Sequence, residues 1–439
     1  MDRTIALISL GCAKNLVNSE QMLYLLSEAG YTLTPSPDGA DAVIINTCGF
    51  IDAAKSEAID AILEMAKLKN MGRLGRIIVT GCLTERYKSA VTEELPEVDA
   101  ILGVGSFGDI VDAVNAVFED KTVSMFADNS APVDEIPRVV STGPAWAYLR
   151  IAEGCDNFCA FCAIPYIRGR YRSRTMENIL EEANDLARHG VKELIVIAQD
   201  ITRYGTDLYG RRSLAELCRR LSAIDGIQWI RLHYTYPDQF DDELINEIAA
   251  NGKIVKYLDI PIQHINNGIL KAMNRRGTGD YIRALFKTLR DRIPGLVLRT
   301  SLIAGLPGEG EAEFEELCEF LREARIERAG VFPFSPEEGT PAAAMEHVDF
   351  NEAQRRAELI MDIQAQIMDE FAASLIGKCL PVICLDYDED QKMWTGRSCY
   401  DSPDIDGLVY FDGNGGEGNI VNVTVTDVTE DGNLIGEET

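Results

Sequence analysis

Residues 147–165 read AYLRIAEGCDNFCAFCAIP, an apolar run followed at once by three closely spaced cysteines. Cys155, Cys159 and Cys162 have the spacing C-x3-C-x2-C, so their three thiolates could hold one face of an iron–sulfur cube. A tetrahedral zinc site normally has four protein ligands. A structural zinc knuckle or three buried thiols remain alternatives. The spacing and the position after a predicted strand favour a cluster that keeps one iron open for a small molecule.

Apolar runs alternate with amphipathic stretches on both sides of this segment. In the first 120 residues, TIALISL, AVIINT, RIIVTG and AILGVG predict an open parallel α/β sheet. After residue 146, AYLRIAEG, ELIVIAQ, WIRLHY, KYLDIPI, LVLRTSLIAG and AGVFPFS predict about six β/α units, a barrel that is incomplete. A helical pattern from Asn351 to about Leu375 and five short β-rich runs follow, and these runs predict a small antiparallel β-barrel.

The chain length fits this division, because 439 residues correspond to roughly three domains of about 150 residues. We expect an α/β protein with an N-terminal sheet domain at 1–125, a linker at 126–143, the incomplete barrel at 144–372 and the terminal β-barrel at 373–439. The linker contains Pro132 and Pro137 and has no sustained period.

A second set of cysteines ends three successive predicted strands. Cys12 follows ALISLG, Cys48 follows VIINT and Cys82 follows IIVTG. The carboxyl ends of parallel strands share one crevice, so the three thiols should converge there. A glycine that permits close backbone approach lies beside each cysteine: Gly11, Gly49 and Gly81. Coincidental core cysteines are the alternative to a second cluster with three protein ligands.

Composition narrows the class of protein. The 42 basic and 71 acidic residues give a net charge of −29, which disfavours a bulk nucleic-acid binder and suits a basic partner. The chain has no apolar run of 18 residues and no signal-peptide pattern, so we expect a soluble cytoplasmic protein with no membrane partner.

The thiol pools of the cytoplasm keep cysteines reduced, which disfavours disulfides in this chain. The remaining five cysteines are expected to be structural: Cys218, Cys318, Cys379, Cys384 and Cys399.

Two further polar features follow the first cysteine motif. The densest positive run is YIRGRYRSR, which contains Arg168, Arg170, Arg172 and Arg174. These arginines could hold a carboxylate or a partner's acidic side chain, or form a solvated surface. His264 lies at a predicted barrel strand end, where we expect a satisfied polar residue.

The C-x3-C-x2-C segment resembles the cluster loop of radical S-adenosylmethionine enzymes. That resemblance implies that Phe161 packs near the adenine of the cofactor. It also implies that Gln199 and Asp200, in IVIAQD, bind the methionine amino group, and that the turn with Gly305 and Pro307 lies against the adenine and sugar. A polar strand end and an ordinary strand-to-helix turn are the alternatives.

Essentially the whole chain resembles the methylthiotransferases, which combine three single cysteines, a radical barrel and a TRAM-type β-barrel. The resemblance implies two 4Fe-4S clusters, S-adenosyl-L-methionine, and an electron donor such as flavodoxin or ferredoxin. The implied ligands of the auxiliary cluster are Cys12, Cys48 and Cys82, and those of the radical cluster are Cys155, Cys159 and Cys162.

SLGCAKNLVNSE, WIRLHYTYP and FPFSPEEGTPAA are similar to the ribosomal-protein branch of that family, the RimO type. This branch attaches a methylthio group to the β-carbon of an aspartate in small-subunit ribosomal protein number twelve. Ala13 and Asn18 depart from the expected Pro and Asp, but neither is an implied ligand.

Two other functions stay open at this point. The first is methylthiolation of a transfer RNA adenosine (MiaB type), and the second is a non-catalytic scaffold that retains clusters. Residues 373–439 contain three basic and fourteen acidic residues, a net charge of −11 that disfavours transfer RNA. The alternative is that this charge only reflects the acidity of the whole chain, which carries −29.

Overall fold

The computed structural model describes residues 3–133 and 135–439. The chain forms two compact units. The first contains Met1–Ser141, Ala152–Arg174 and Ser335–Ala343, and the second contains Thr142–Ile151, Thr175–Phe334 and Ala344–Thr439. Within the described ranges, no helix has both the length and the apolar character needed to cross a membrane.

The first unit is built on a six-stranded parallel sheet with the order β2-β1-β3-β4-β5-β6. The strands are β1 (Thr4–Ser9), β2 (Thr32–Thr34), β3 (Ala42–Thr47), β4 (Arg76–Gly81), β5 (Ala100–Leu102) and β6 (Val123–Met125). The helices are α1 (Ala13–Glu28), α2 (Asp52–Asn70), α3 (Cys82–Tyr87), α4 (Ser89–Glu94) and α5 (Ile110–Phe118). The predicted open parallel sheet is confirmed. The sheet also contains the edge strands β2 and β6, which the pattern of apolar runs did not predict.

Helices cover both faces of this sheet, which explains the continuous apolar strands. Val43 and Ile45 of β3 pack in a cluster with α2, whereas Ile44 faces the opposite way and packs in a cluster with α1 and α5. All six residues of β3 are buried. Because β1, β3 and β4 run parallel side by side, their carboxyl ends emerge at one edge of the sheet.

The chain from residue 146 continues the strand and helix alternation. Its strands are β7 (Trp146–Arg150), β8 (Ala152–Glu153), β9 (Arg172–Ser173), β10 (Glu193–Ile197), β11 (Trp229–Leu232), β12 (Ile254–Asp259), β13 (Val297–Ala304) and β14 (Arg328–Pro333). Its helices are α6 (Ile164–Arg168), α7 (Met176–Arg188), α8 (Leu214–Ser222), α9 (Asp242–Ala250), α10 (Asn267–Ala272), α11 (Gly279–Arg292), α12 (Glu311–Ala324) and α13 (Phe350–Ala373).

Six of these strands form the main sheet of the second unit, in the order β14-β13-β12-β11-β10-β7, and every pairing is parallel. The order follows the chain, as expected for successive β/α units. The sheet is not closed, so the predicted incomplete barrel is confirmed.

The second unit also contains a closed barrel with the order β15-β16-β17-β19-β18. Its strands are β15 (Cys379–Asp388), β16 (Met393–Ser398), β17 (Val409–Asp412), β18 (Ile420–Val428) and β19 (Leu434–Glu438). The five predicted strands are confirmed. One feature departs from an all-antiparallel barrel, because β19 pairs parallel with β17. The chain reverses at β18 between them, so β19 runs in the same direction as β17.

Candidate cluster sites

Cys12, Cys48 and Cys82 emerge from three adjacent strand ends of the first unit. Cys12 is the N-cap of α1, Cys48 directly follows β3, and Cys82 begins α3. Gly11 has a φ of +88°, and a Cβ there would lie 2.6 Å from the Cys48 Cβ. The first and second cysteine segments therefore touch, and only a glycine fits between them.

The second and third segments touch in the same way. A Cβ at Gly49 would lie 2.7 Å from the Leu83 Cα, and a Cβ at Gly81 would lie 2.4 Å from the Thr47 carbonyl oxygen. Gly81 also has a φ of +106°. The glycines beside the cysteines thus permit the close backbone approach that the sequence indicated.

A buried amide joins the three segments. The Nδ2 of Asn15 donates to the carbonyl oxygens of Leu10 and Thr47, both at 3.0 Å. The Cys82 thiol donates to the Asn15 Oδ1 at 3.8 Å, and the Nη2 of Arg168 donates to the same oxygen. Asn15 and Arg168 are each 1% exposed. Their positions are therefore fixed by packing and hydrogen bonds together.

The three thiols experience different electrostatic environments. Burial opposes ionisation of Cys12, but Lys14, Arg168 and backbone N–H groups outweigh it and lower its pKa. Burial raises the pKa of Cys48. Burial also raises the pKa of Cys82 to about 11, with Arg168 acting against the rise and the Cys12 and Cys48 thiols adding to it. The thiols are thus electrostatic neighbours, and Arg168 favours the thiolate of each.

Among the residues that the structure describes, no three His, Cys, Asp or Glu side chains are grouped to hold a single metal ion. A cube binds each cysteine through a different iron, so its ligands lie farther apart than the ligands of one ion. The donor set of three thiols fits a cluster of that kind.

The C-x3-C-x2-C loop lies in the same unit and is closed by a short ladder. Strands β8 and β9 pair antiparallel, and the Cys155 N–H donates to the Gly169 carbonyl at 3.2 Å. A Cβ at Gly154 would lie 2.1 Å from the Arg170 carbonyl oxygen. Cys155 and Cys159 are buried, and Cys162 is half-buried. The backbone therefore holds the three cysteines on one compact loop.

Side chains brace the middle of this loop. Phe158 has a φ of +48°, and its ring packs edge-on against Tyr166 with centroids 6.3 Å apart. The Arg170 guanidinium lies 5.3 Å from the Phe158 ring centroid and pairs with Asp156 at 2.6 Å. Asp156 also accepts the Tyr171 N–H at 3.1 Å. These contacts stabilise an unusual backbone conformation between two predicted ligands.

The arginine run is engaged with the chain itself. Arg168 pairs with Glu153, Arg170 with Asp156 and Arg174 with Glu135, whereas Arg172 donates to the carbonyl oxygens of residues 168 and 170. Arg168 does hold a carboxylate, but that carboxylate is Glu153 of the chain itself, and the buried guanidinium also lies beside the first thiol set. The sequence did not single out Asn15, and it indicated Arg168 only as part of the positive run.

Phe161 lies in the first unit and is half-buried, and the other predicted cofactor contacts belong to the second unit. Asp200 starts the 3-10 helix Ile201–Arg203 and accepts the Thr202 N–H at 3.0 Å. Its other oxygen accepts from the Arg203 Nε at 3.1 Å. Gln199 is half-buried at the adjoining position. Asp200 therefore has a structural role in shaping this strand end.

The turn that contains Gly305 and Pro307 is fixed by a buried carboxylate. The Gly305 N–H donates to the Glu309 Oε1 at 2.9 Å, and Glu309 also pairs with Arg356 at 3.0 Å and contacts the His264 Nε2 at 3.2 Å. Burial opposes ionisation of Glu309, but these partners outweigh it and lower its pKa. A Cβ at Gly305 would lie 2.3 Å from the Ala353 Cβ. The turn is therefore held against α13.

Three family models match successive parts of the chain: the uncharacterized protein family UPF0004 at residues 4–103, the Radical SAM superfamily at 149–321 and the TRAM domain at 376–437. Together with the fold, these matches define the class as radical S-adenosylmethionine proteins that carry a TRAM domain.

Curated relatives make the assignment more specific. Proteins named ribosomal protein uS12 methylthiotransferase RimO are 46% identical over 100% of this chain and 98% of theirs in Acetivibrio thermocellus, and 49% identical over 99% and 100% in Caldanaerobacter subterraneus subsp. tengcongensis. The chain belongs to the RimO family of methylthiotransferases.

Solved structures share the fold. The radical S-adenosylmethionine methyltransferase TsrM from Kitasatospora setae has a TM-score of 0.58 at 15% identity, covering 78% of this chain and 77% of its own. The cobalamin-dependent S-adenosylmethionine radical enzyme OxsB has a TM-score of 0.55 at 15% identity, covering 82% and 56%. At these identities the likeness shows the fold alone.

Proposed function

We propose that this chain is a radical methylthiotransferase that attaches a methylthio group to the β-carbon of an aspartate in ribosomal protein uS12. The observation that carries the proposal is the meeting of three cysteine segments around Asn15, in the unit that also holds the C-x3-C-x2-C loop. A radical enzyme needs one cluster, so a second triad of thiols supports a reaction that also requires a source of sulfur. The names of the full-length relatives supply the substrate.

Each triad would hold one 4Fe-4S cluster and leave one iron open. Cys155, Cys159 and Cys162 would bind the radical cluster, and the auxiliary cluster would be bound by Cys12, Cys48 and Cys82. When bound, the clusters and S-adenosylmethionine supply radical hydrogen abstraction and a source of sulfur, while the protein supplies orientation and exclusion of water.

The chain's own residues keep both sites in fixed positions. Asn15 holds the ends of β1 and β3 together through its two 3.0 Å hydrogen bonds. Asp156 and Arg170 brace the radical loop, and Glu309 fixes the turn that begins at Gly305. Phe161, Gln199, Asp200, Gly305 and Pro307 stay predicted contacts of S-adenosylmethionine.

Charge favours a basic protein substrate over transfer RNA. The chain carries −29 overall, and residues 373–439 carry −11. A net negative charge repels phosphates and attracts a lysine- and arginine-rich ribosomal protein. The same function requires a small electron donor, such as flavodoxin or ferredoxin, and a place in the cytoplasm beside the ribosomal substrate.

The test is a mass measurement on the substrate. The anaerobically reconstituted protein is incubated with S-adenosylmethionine, reductant, sulfide and uS12, which should gain about 46 Da, a methylthio group in place of hydrogen. A uS12 variant with the target aspartate replaced by asparagine is the control and should gain nothing. No gain on uS12 while 5′-deoxyadenosine forms would refute the substrate, and modified adenosine in transfer RNA would favour the other branch. Absence of 5′-deoxyadenosine would favour a non-catalytic scaffold.

A further inference from the structure

One buried guanidinium connects the two predicted cluster sites within the first unit. Arg168 ends α6, and its Nη1 donates to both carboxylate oxygens of Glu153 at 3.0 Å. Its Nη2 donates to the Asn15 Oδ1. Glu153 lies two residues before Cys155, and Asn15 lies three residues after Cys12. The side chains of Glu153, Arg168 and Asn15 therefore form a continuous chain from one cysteine set to the other.

The cation in the middle of this series, Arg168, acts electrostatically on the Cys12, Cys48 and Cys82 thiols. Arg168 donates to the same Asn15 oxygen that accepts from Cys82, so the guanidinium lies beside that thiol. Its charge contributes to the lowered pKa of Cys12 and acts against the rise that burial causes in the pKa of Cys48 and Cys82. A cysteine set that binds a cluster is thus accompanied by a fixed cation.

The charge of Arg168 acts strongly on its neighbours because the side chain is buried. Arg168 is 1% exposed and Glu153 is 5% exposed, so water screens neither of them well. Three thiolates around a 4Fe-4S core leave a negative site, and each added electron makes it more negative. An arginine keeps its proton at any working pH, so its charge is permanent. Nearby charge and hydrogen bonds are among the factors that set the reduction potential of a cluster.

We propose that Arg168 is a positioning residue that sets the reduction potential of the auxiliary cluster, with Glu153 as the counter-charge that limits its effect. This inference rests on the proposed function, because it requires the auxiliary cluster. Arg168 makes reduction easier by neutralising the added charge. Glu153 holds the guanidinium in place and acts on the potential in the opposite direction. If Arg168 and Glu153 had purely structural roles, replacing them would not shift the reduction potential in opposite directions.

The test uses the full chain with Cys155, Cys159 and Cys162 replaced by alanine, so that only the auxiliary cluster titrates. The variants Arg168→Gln, Arg168→Lys and Glu153→Gln are compared in this background by anaerobic redox titration with electron paramagnetic resonance. Arg168→Gln should lower the reduced-to-oxidised ratio at fixed potential by about tenfold or more, which is about 59 mV for one electron. Glu153→Gln should shift the ratio in the opposite direction, and Arg168→Lys should stay near the parent.

Equal potentials in all variants, or shifts of the same sign in Arg168→Gln and Glu153→Gln, would contradict the inference. Iron content is the control for cluster retention, with about four irons expected per chain. Loss of iron from Arg168→Gln with retention in Arg168→Lys supports a need for the charge, whereas loss from both assigns Arg168 to folding alone. The titration uses neither uS12 nor cofactor cleavage, so a wrong substrate leaves its result unchanged. Absence of iron from the parent variant overturns this inference and the two-cluster proposal together.

Discussion

Cys159 and Cys48 belong to different triads, and replacing each by alanine separates the two halves of the proposed reaction. Cys159→Ala should reduce 5′-deoxyadenosine formation to the level seen without enzyme, because the radical cluster loses a ligand. Cys48→Ala should keep that cleavage and stop the mass gain on uS12. Chromatography of 5′-deoxyadenosine and mass spectrometry of uS12 measure the two outcomes.

Cys379→Ala is the matched control, because Cys379 is exposed and outside both triads. It should retain cleavage and transfer. If Cys48→Ala abolished cleavage as completely as Cys159→Ala, the division of labour between the triads would be wrong.

Among the residues of the two sites, the sequence indicated the cysteines and the glycines beside them, but not the hydrogen bond between Asn15 and Arg168. Each cysteine stands at a predictable place, after a strand or within a tight motif. Asn15 and Arg168 are separated by 153 residues, and no spacing rule predicts a hydrogen bond over that distance. Arg168 was recognised only as part of a charged run, and its burial depends on the fold.

At the scale of elements, the segment between β16 and β17 packs against the parallel sheet of the second unit. The Asp401 carboxylate accepts from the Arg328 Nη2, and Asp406 accepts from the Tyr257 hydroxyl, both at 2.7 Å. Glu193, the first residue of β10, pairs with Arg231 at 2.7 Å and with Arg397 at 2.5 Å. Buried ion pairs therefore join the terminal barrel to the sheet.

The substitution Glu193→Gln should strongly destabilise the contact between the terminal barrel and the parallel sheet of the second unit. Glu193 and Arg231 are fully buried, and Arg397 is 1% exposed, so the change leaves two cations without their carboxylate. We expect a loss of about 3–5 kcal/mol in the free energy of unfolding, measured in urea. Glu370→Gln is the control, because its pair with Arg325 is largely exposed and should contribute less than about 1 kcal/mol. Equal losses in both variants would contradict this account of the contact.

The same carboxylate gives the contact a pH dependence. Burial opposes ionisation of Glu193, but Arg397 and Arg231 outweigh it and lower its pKa. A lowered folded-state pKa stabilises the fold above the ordinary glutamate range, and this contribution is lost as the pH falls through the folded-state value. In Glu193→Gln, this part of the acid sensitivity should be absent from the urea midpoint measured against pH.

The elements themselves were largely predictable, because long apolar runs determine them. The strands β2 and β6 were missed since each has three residues at a sheet edge and is partly exposed. The segment between β16 and β17 has no periodic pattern, so its packing on the sheet could not be predicted. From the sequence alone, the acidic residues of this segment contribute only to the net charge, and their burial could not be predicted.

At the scale of the whole molecule, the order of a parallel sheet, an incomplete barrel and a small β-barrel follows from the sequence. The division at 1–125, 126–143, 144–372 and 373–439 stays a prediction. The cysteine loop at 155–162 and the short strand β8 group with the first unit, although β7 belongs to the second. The loop was expected in the barrel because it follows a barrel strand along the chain, and its contacts in space could not be predicted from that order.

The iron and acid-labile sulfide content after anaerobic reconstitution tests the two-cluster architecture most directly. About eight irons per chain are expected, since two 4Fe-4S clusters hold four each. Replacing either triad by alanine should leave about four irons, with the same sulfide ratio. About four irons in the unchanged chain, retained when Cys12, Cys48 and Cys82 are all replaced, would contradict it.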